Sequence, residues 1–132
     1  DMPLHMATLL ERTLARAGRS LQGARVLVLG YAYLENSDDT RNSPSEALVE
    51  HLKKKGVVVV VHDPYVAEYQ KDLLTLAEGC DAVVLMVAHD AYRSLDFDAL
   101  RLRMSLPVLV DGRGVFRISP PPAFVYACVG VG

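Results

Sequence analysis

The chain has no tryptophan, only two cysteines and no apolar run longer than a β-strand. Because a membrane-spanning helix needs about 20 consecutive apolar residues, we expect none here. The cysteines, Cys80 and Cys128, lie at neither metal-binding nor redox spacing. We interpret both as small apolar side chains in a reducing compartment, with a catalytic thiol as the alternative.

Strong charge is also missing, since the net charge is −2. The one basic run, residues 53–55, fits a solvated helix end, so we expect no nucleic-acid or membrane partner. The opening Asp1-Met2-Pro3 does not resemble a signal peptide, and we expect a cytoplasmic protein. Since the chain does not open on methionine, we expect it to be a fragment of a longer protein.

Apolar runs alternate with helical patterns along the chain, which predicts an α/β fold: a Rossmann-like, doubly wound parallel sheet covered on both faces. A leading amphipathic helix is predicted over residues 4–17. We expect residues 1–20 to be the end of a connector helix and residues 21–132 to be the domain itself. The predicted strands cover residues 24–30, 57–62 (fully buried), 81–89, 107–114 and 124–131.

Helix signals separate these strands. Ser43 is a good N-cap, Pro44 suits the first helical position and Glu46 completes a capping box. Further helical patterns cover residues 71–78 and, as a broken or doubled helix, residues 90–104.

Ligands of such sheets bind at the carboxyl ends of the strands, where the strand order reverses. The usual winding makes strands one and four neighbours, so "GYAYLENSDDTRNS" (30–43) and "DGRGVF" (111–116) would face one another. Arg41, Arg113 and the helix start at Ser43 suit a pyrophosphate. Alternatively, Arg41 pairs with Asp38 or Asp39 and ties its own loop down.

Other candidate residues carry weaker signals. The dinucleotide fingerprint G-x-G-x-x-G is missing after the first strand. Asp63 either contacts a ribose or caps a plain turn. His89 is the last residue of strand three, before Asp90 as a helix N-cap, rather than an acid or base. Asp38 and Asp39 do not complete a receiver-type cation site, and we identify no catalytic residue and no metal site.

Several segments carry a family resemblance in order along the chain: "VLVLGYAYLENSDDTRNSPSEALVEHLKKKG", "VHDPYV", "DAVVLMVAHDAY" and "PVLVDGRGVF". They resemble the C-terminal, UDP-binding domain of the UDP-glucose/GDP-mannose dehydrogenase family, with the bacterial UDP-N-acetylhexosamine 6-dehydrogenases as the most similar subgroup. "DMPLHM" resembles the end of that family's central segment, and "FVYACVGVG" resembles its C-terminus.

The resemblance implies an NAD-dependent, homo-oligomeric enzyme that oxidises the C6 alcohol of a UDP-sugar to a carboxylate, for polysaccharide precursor synthesis. The family's NAD-binding domain and nucleophilic cysteine have no counterpart in this chain, so the fragment alone is expected to be inactive.

The resemblance also assigns roles to single residues. Arg41 matches an arginine that approaches the cofactor, Arg113 one that contacts the nucleotide, and Tyr33 an aromatic residue of the substrate cleft. Leu34 stands where the family pattern G-x-A-[FY]-K has a substrate-binding lysine. The alternative function is therefore a non-catalytic nucleotide-binding module with a degenerate site.

Overall fold

Residues 1–129 of the computed structural model form a five-stranded, all-parallel sheet with helices on both faces. The strands are β1 (Arg25–Leu29), β2 (Val58–His62), β3 (Ala82–Leu85), β4 (Val108–Asp111) and β5 (Val125–Cys128). The helices are α1 (Met2–Arg16), α2 (Pro44–Lys54), α3 (Leu73–Leu76), α4 (Asp90–Arg93) and α5 (Phe97–Arg103). The predicted doubly wound α/β fold is confirmed, although residues 130 and 131 of the predicted last strand lie outside the described part.

The strand order is β2-β1-β3-β4-β5. The predicted contact between strands one and four is wrong, because β3 lies between them and pairs with β1 from Val26–Ala82 to Leu29–Leu85. Interior parallel strands are apolar on both faces whatever their neighbours, so their sequences do not encode this order. The reversal in strand order, or switch point, therefore lies between β1 and β3.

β2 is an edge strand, not the fully buried strand that five consecutive valines suggested. Among residues 1–129 it pairs with β1 alone, and Val58 is 48% exposed. Packing of α2 and α3 covers the remaining residues of β2 in part. A strand with one neighbour keeps one side open to solvent, however apolar its sequence is.

α1 begins at Met2, two residues earlier than predicted, and packs with α2 on one face of the sheet. The Asp1 carboxylate caps it by accepting a hydrogen bond from the Leu4 N–H at 3.2 Å. Met6, Leu10 and Leu14 are fully buried in the core of that face. That residues 1–20 connect to a preceding domain stays a prediction.

α2 begins as its sequence predicts. The Ser43 Oγ accepts from the Glu46 N–H at 3.1 Å, and Pro44 is the first helical residue. The prediction that Glu46 completes a capping box is wrong, because the Ser43 N–H donates to the Thr40 carbonyl and not to the Glu46 side chain. Residues 90–104 contain two successive short helices, α4 and α5, which confirms the predicted broken helix.

Within residues 1–129, every helix is too short or too polar to cross a membrane.

Candidate functional site

A cavity of about 400 Å³ opens at the carboxyl ends of β1, β3 and β4. We call it the switch-point cavity. Its wall comes from five places: the start of α1, the loop after β1, the start of α2, the exit of β3 and the exit of β4. The lining residues are Met2, residues 32–35, Pro44, Ser45, residues 86–88 and Arg113.

Three residues singled out from the sequence, Tyr33, Leu34 and Arg113, line this cavity together. Tyr33 is 51% exposed and Leu34 is 59% exposed, so both side chains are open to a ligand. Arg113 reaches the cavity although β3 separates β4 from β1. A Cβ at Gly112 would lie 2.6 Å from the Leu85 carbonyl oxygen, so only glycine lets the β4 exit approach the end of β3 this closely.

Arg41 does not line the cavity. Its guanidinium donates twice to the Asp39 carboxylate, from Nε to Oδ1 at 3.1 Å and from Nη2 to Oδ2 at 3.0 Å. These bonds lower the pKa of Asp39 and raise the pKa of Arg41. The structure thus shows Arg41 paired with Asp39 of its own loop. A contact of Arg41 with a cofactor stays a prediction.

Asp63 anchors the loop that follows β1. Its carboxylate is fully buried; Oδ2 accepts from the Tyr31 N–H at 2.7 Å and the Ala32 N–H at 2.9 Å, and Oδ1 accepts from the Tyr65 N–H at 2.8 Å. Burial acts to raise the pKa of Asp63, but hydrogen bonds, with the Ala32 N–H foremost, outweigh it and lower the pKa. Asp63 therefore caps the predicted turn and also holds the first loop, and its burial keeps it from a ribose.

The turn after β1 does not fit the pyrophosphate of a dinucleotide cofactor. In a Rossmann fingerprint, the backbone at this turn faces the phosphates. Here Asp63 uses the amides of Tyr31 and Ala32, and Gly30 makes room for Val87 instead.

His89 is not the last residue of strand three, as the sequence suggested, because β3 ends at Leu85. His89 occupies the N-cap position of α4, which begins at Asp90, so the prediction of Asp90 as the N-cap is also wrong. The His89 ring is fully buried; Nε2 lies 3.0 Å from Asp63 Oδ2, and Nδ1 accepts from the Asn36 N–H at 2.7 Å.

The contact between Asp63 and His89 was missed in the sequence, which places the two residues 26 positions apart. One signal was available: both are polar residues at the end of an apolar run, His89 directly after it in "MVAHD" and Asp63 one residue later in "VVHDP". Carboxyl ends of neighbouring parallel strands lie at one edge of the sheet. With the correct strand order, those two segments would have been expected to meet near β1.

Both cysteines are free and buried. Burial raises the pKa of the Cys80 thiol to about 11, which disfavours the nucleophilic thiolate. Residues 1–129 contain no cluster of three His, Cys, Asp or Glu side chains that could hold a metal ion.

Residues 27–118 match the family model of the UDP-glucose/GDP-mannose dehydrogenase family, UDP-binding domain. The chain is 34% identical over 131 residues to a UDP-N-acetyl-D-mannosamine dehydrogenase of Pyrococcus horikoshii, covering 99% of this chain and 31% of that relative. It is 33% identical over 131 residues to a UDP-glucose 6-dehydrogenase of Rhizobium meliloti, covering 90% of this chain and 30% of that relative.

Solved structures agree with these matches. A UDP-D-ManNAc dehydrogenase from Pyrococcus horikoshii superposes with a TM-score of 0.90 at 32% identity, covering 97% of this chain and 30% of that one. An NDP-N-acetyl-D-galactosaminuronic acid dehydrogenase from Methanosarcina mazei gives 0.87 at 35% identity, covering 97% of this chain and 29% of that one. The chain therefore spans about 30% of the length of these relatives. Family model, relatives and fold agree, and the chain belongs to the UDP-glucose/GDP-mannose dehydrogenase family, in which it corresponds to the UDP-binding domain.

Proposed function

We propose that the switch-point cavity binds the nucleotide part of a UDP-sugar. The observation that carries this proposal is the position of Arg113, which lines a cavity at the reversal in strand order of a UDP-binding family domain. Its guanidinium offers two parallel N–H donors to a diphosphate oxygen pair. The start of the 11-residue helix α2 supplies the positive end of a helix dipole at the same cavity.

We further propose that this domain works within a longer, NAD-dependent enzyme that oxidises the C6 alcohol of the sugar to a carboxylate, supplying precursors of a polysaccharide. The relatives support this, since they are UDP-sugar dehydrogenases about three times as long as this chain. The cofactor would be bound mainly by a part of that enzyme outside this chain. Homo-oligomerisation and a cytoplasmic location remain predictions.

Leu34 motivates a second candidate, a non-catalytic nucleotide-binding module. Its side chain lines the cavity and is mostly exposed, but it offers neither a charge nor a hydrogen-bond donor. A domain with a weakened substrate site could keep the fold without the chemistry. A G-x-G-x-x-G unit and a cysteine motif in the longer protein would favour the enzyme, and their absence would favour the module.

Calorimetric titration of the chain with UDP tests the proposal. Arg113→Ala is expected to weaken UDP binding by about 1.5–3 kcal/mol, because a charge-assisted contact is lost. Arg117→Ala is the matched control, since Arg117 is an exposed arginine four residues further along that does not line the cavity. Equal UDP affinities for the Arg113→Ala variant and the parent chain would place the nucleotide elsewhere.

A further inference from the structure

We propose that His89 is a positioning residue for the switch-point cavity: it holds the Tyr33–Leu34 side of the cavity in place through the backbone of Asn36. This inference rests on the proposed function, because the cavity is taken to be the UDP site. His89 itself does not line the cavity, so its effect is transmitted through the loop.

The two ring nitrogens of His89 have distinct partners. A backbone N–H can only donate, so Nδ1 must accept the 2.7 Å hydrogen bond from Asn36. Nε2 then carries the ring proton and donates a hydrogen bond of 3.0 Å to Asp63 Oδ2. The neutral ring with its proton on Nε2 is the one state that satisfies both neighbours.

These bonds hold a short segment at both ends. Asp63 accepts from the amides of Tyr31 and Ala32 at its start, and His89 accepts from the amide of Asn36 at its end. Residues 33–35, between these anchors, are exposed and line the cavity. Loss of either anchor would therefore let this side of the cavity move.

The backbone conformation of Asn36 is uncommon for a residue other than glycine, because its φ of +55° lies in the left-handed region. Its side-chain Oδ1 accepts from the Asp90 N–H at 3.1 Å and from the Tyr65 hydroxyl at 3.3 Å. The Tyr65 ring also packs on the His89 ring, with centroids 4.8 Å apart. Residues that follow β2 and β3 thus both contact Asn36, in the loop after β1. Of these residues, His89 is the one that is fully buried.

Two substitutions separate the two hydrogen bonds of His89. In His89→Asn, the side-chain oxygen lies near the position of Nδ1 and can still accept from Asn36, while the contact with Asp63 is lost. In His89→Gln, the longer side chain can still donate to Asp63, while the acceptor for Asn36 is lost. Each variant is the control for the other.

A positioning role predicts that UDP affinity follows the Asn36 bond. We expect His89→Asn to keep UDP affinity within about threefold, and His89→Gln to lose about tenfold, the cost of one hydrogen bond. A purely structural role predicts the opposite order, since His89→Asn removes a donor from a buried carboxylate and should be the less stable variant. Weaker UDP binding by His89→Asn than by His89→Gln, or no loss in either variant, would overturn the proposal.

Amide hydrogen exchange at residues 33–36 reports on the loop without UDP, and it should accelerate in His89→Gln but not in His89→Asn. If the parent chain fails to bind UDP, the proposed function fails, while this exchange pattern still decides the positioning role. The unmodified chain gives one more test that does not depend on variant folding. Nitrogen NMR of His89 should show a neutral ring protonated on Nε2, and a proton on Nδ1 would overturn the proposal.

Discussion

Leu34 and Arg113 both line the switch-point cavity, the first with an apolar side chain and the second with a cationic one. Arg113 can bind an anion there, whereas Leu34 can offer only apolar contact. Arg41, the other cation expected near a ligand, pairs with Asp39 outside the cavity wall. Arg113 and the start of α2 favour an anion in the cavity, whereas the Glu35 carboxylate, which also lines it, opposes one. A second cation at position 34 should therefore increase the anion affinity of the cavity.

Leu34→Lys is expected to strengthen UDP binding by about 1–3 kcal/mol if the ammonium reaches a substrate oxygen. Leu102→Lys is the matched control, because Leu102 is an 86% exposed leucine on α5 that does not line the cavity. Calorimetry at two salt concentrations measures the gain, which should shrink at high salt. Equal affinities for the parent chain and the Leu34→Lys variant would show that this position does not touch the nucleotide, and the degenerate-site candidate would lose its motive.

At the scale of elements, the exits of β2 and β4 each carry a buried carboxylate that holds a loop. Asp63 holds the loop after β1, as described above. Asp111, the last residue of β4, accepts from the Arg113 N–H at 3.1 Å, the Phe116 N–H at 2.8 Å and the Tyr126 hydroxyl at 2.6 Å. The loops after β1 and β4, which both contribute to the cavity, are thus held by hydrogen bonds to buried carboxylates at strand ends.

Acid titration of stability tests the Asp63 anchor. The pKa of Asp63 is lower in the folded chain than its unfolded value of about 3.9, so the unfolded state binds its proton more readily. Its contribution to stability is therefore present at neutral pH and is lost as the pH falls below about 4. Asp63→Asn weakens hydrogen bonds to a charged acceptor, so it should cost roughly 1.5–3 kcal/mol at pH 7 and reduce the loss of unfolding free energy at acid pH.

Urea unfolding between about pH 3 and about pH 7 measures this acid dependence of stability in the parent chain and both variants. Asp98→Asn, at an exposed position of α5, is the control and should cost much less unfolding free energy at pH 7 than Asp63→Asn. An unchanged acid dependence of stability in Asp63→Asn would contradict the anchoring role.

Gly30→Ala tests the close approach of β1 and β3 at the switch point. Gly30 has a φ of +96°, and a Cβ there would lie 2.6 Å from the Val87 Cβ and 2.8 Å from its backbone nitrogen. We expect a loss of about 1–2 kcal/mol from the backbone conformation and about 1–3 kcal/mol more from the clash.

Gly18→Ala is the matched control, since Gly18 has a φ of +82° but nothing within 4 Å of its Cβ position. Unfolding in urea should therefore give a larger loss for Gly30→Ala. If the two losses are equal, the contact with Val87 is not what requires a glycine at position 30.

At the scale of the whole molecule, two cores sandwich the sheet, one under α1 and α2 and the other around Tyr92, Leu100 and Leu109. We expect that burial to be enough for the 132-residue chain to fold as a unit. Catalysis needs more, because the reacting groups must be held together in one cleft. Both cysteines are buried, and the turn after β1 is closed to a dinucleotide by Asp63.

The isolated chain is therefore expected to bind UDP but not to oxidise UDP-sugars. NADH formation, followed by absorbance with UDP-glucose and UDP-N-acetylhexosamines as substrates, measures this. UDP binding by the same preparation serves as the control for a folded site. Sustained NADH formation by the purified chain would contradict the prediction.

Local sequence signals predicted most elements. The start of α2 at Ser43-Pro44, the split of residues 90–104 and the succession of strands all follow from residue type and spacing within a few positions. The grouping of Tyr33, Leu34 and Arg113 was also predicted, although through a wrong pair of neighbouring strands. These three residues still meet because the chain after β4 passes close to the end of β3 at Gly112, and Arg113 then reaches the cavity.

The amino-acid sequence by itself determined the α/β class, the positions of the helices and strands, and the residue types available to a nucleotide, because these depend on near neighbours in the chain. Only the tertiary structure decided that β3 lies beside β1, that β2 is an edge, and that Asp63 and His89 meet. Strand order and contacts over long separations depend on which surfaces pack together. Apolar parallel strands look alike in sequence whichever neighbours they have.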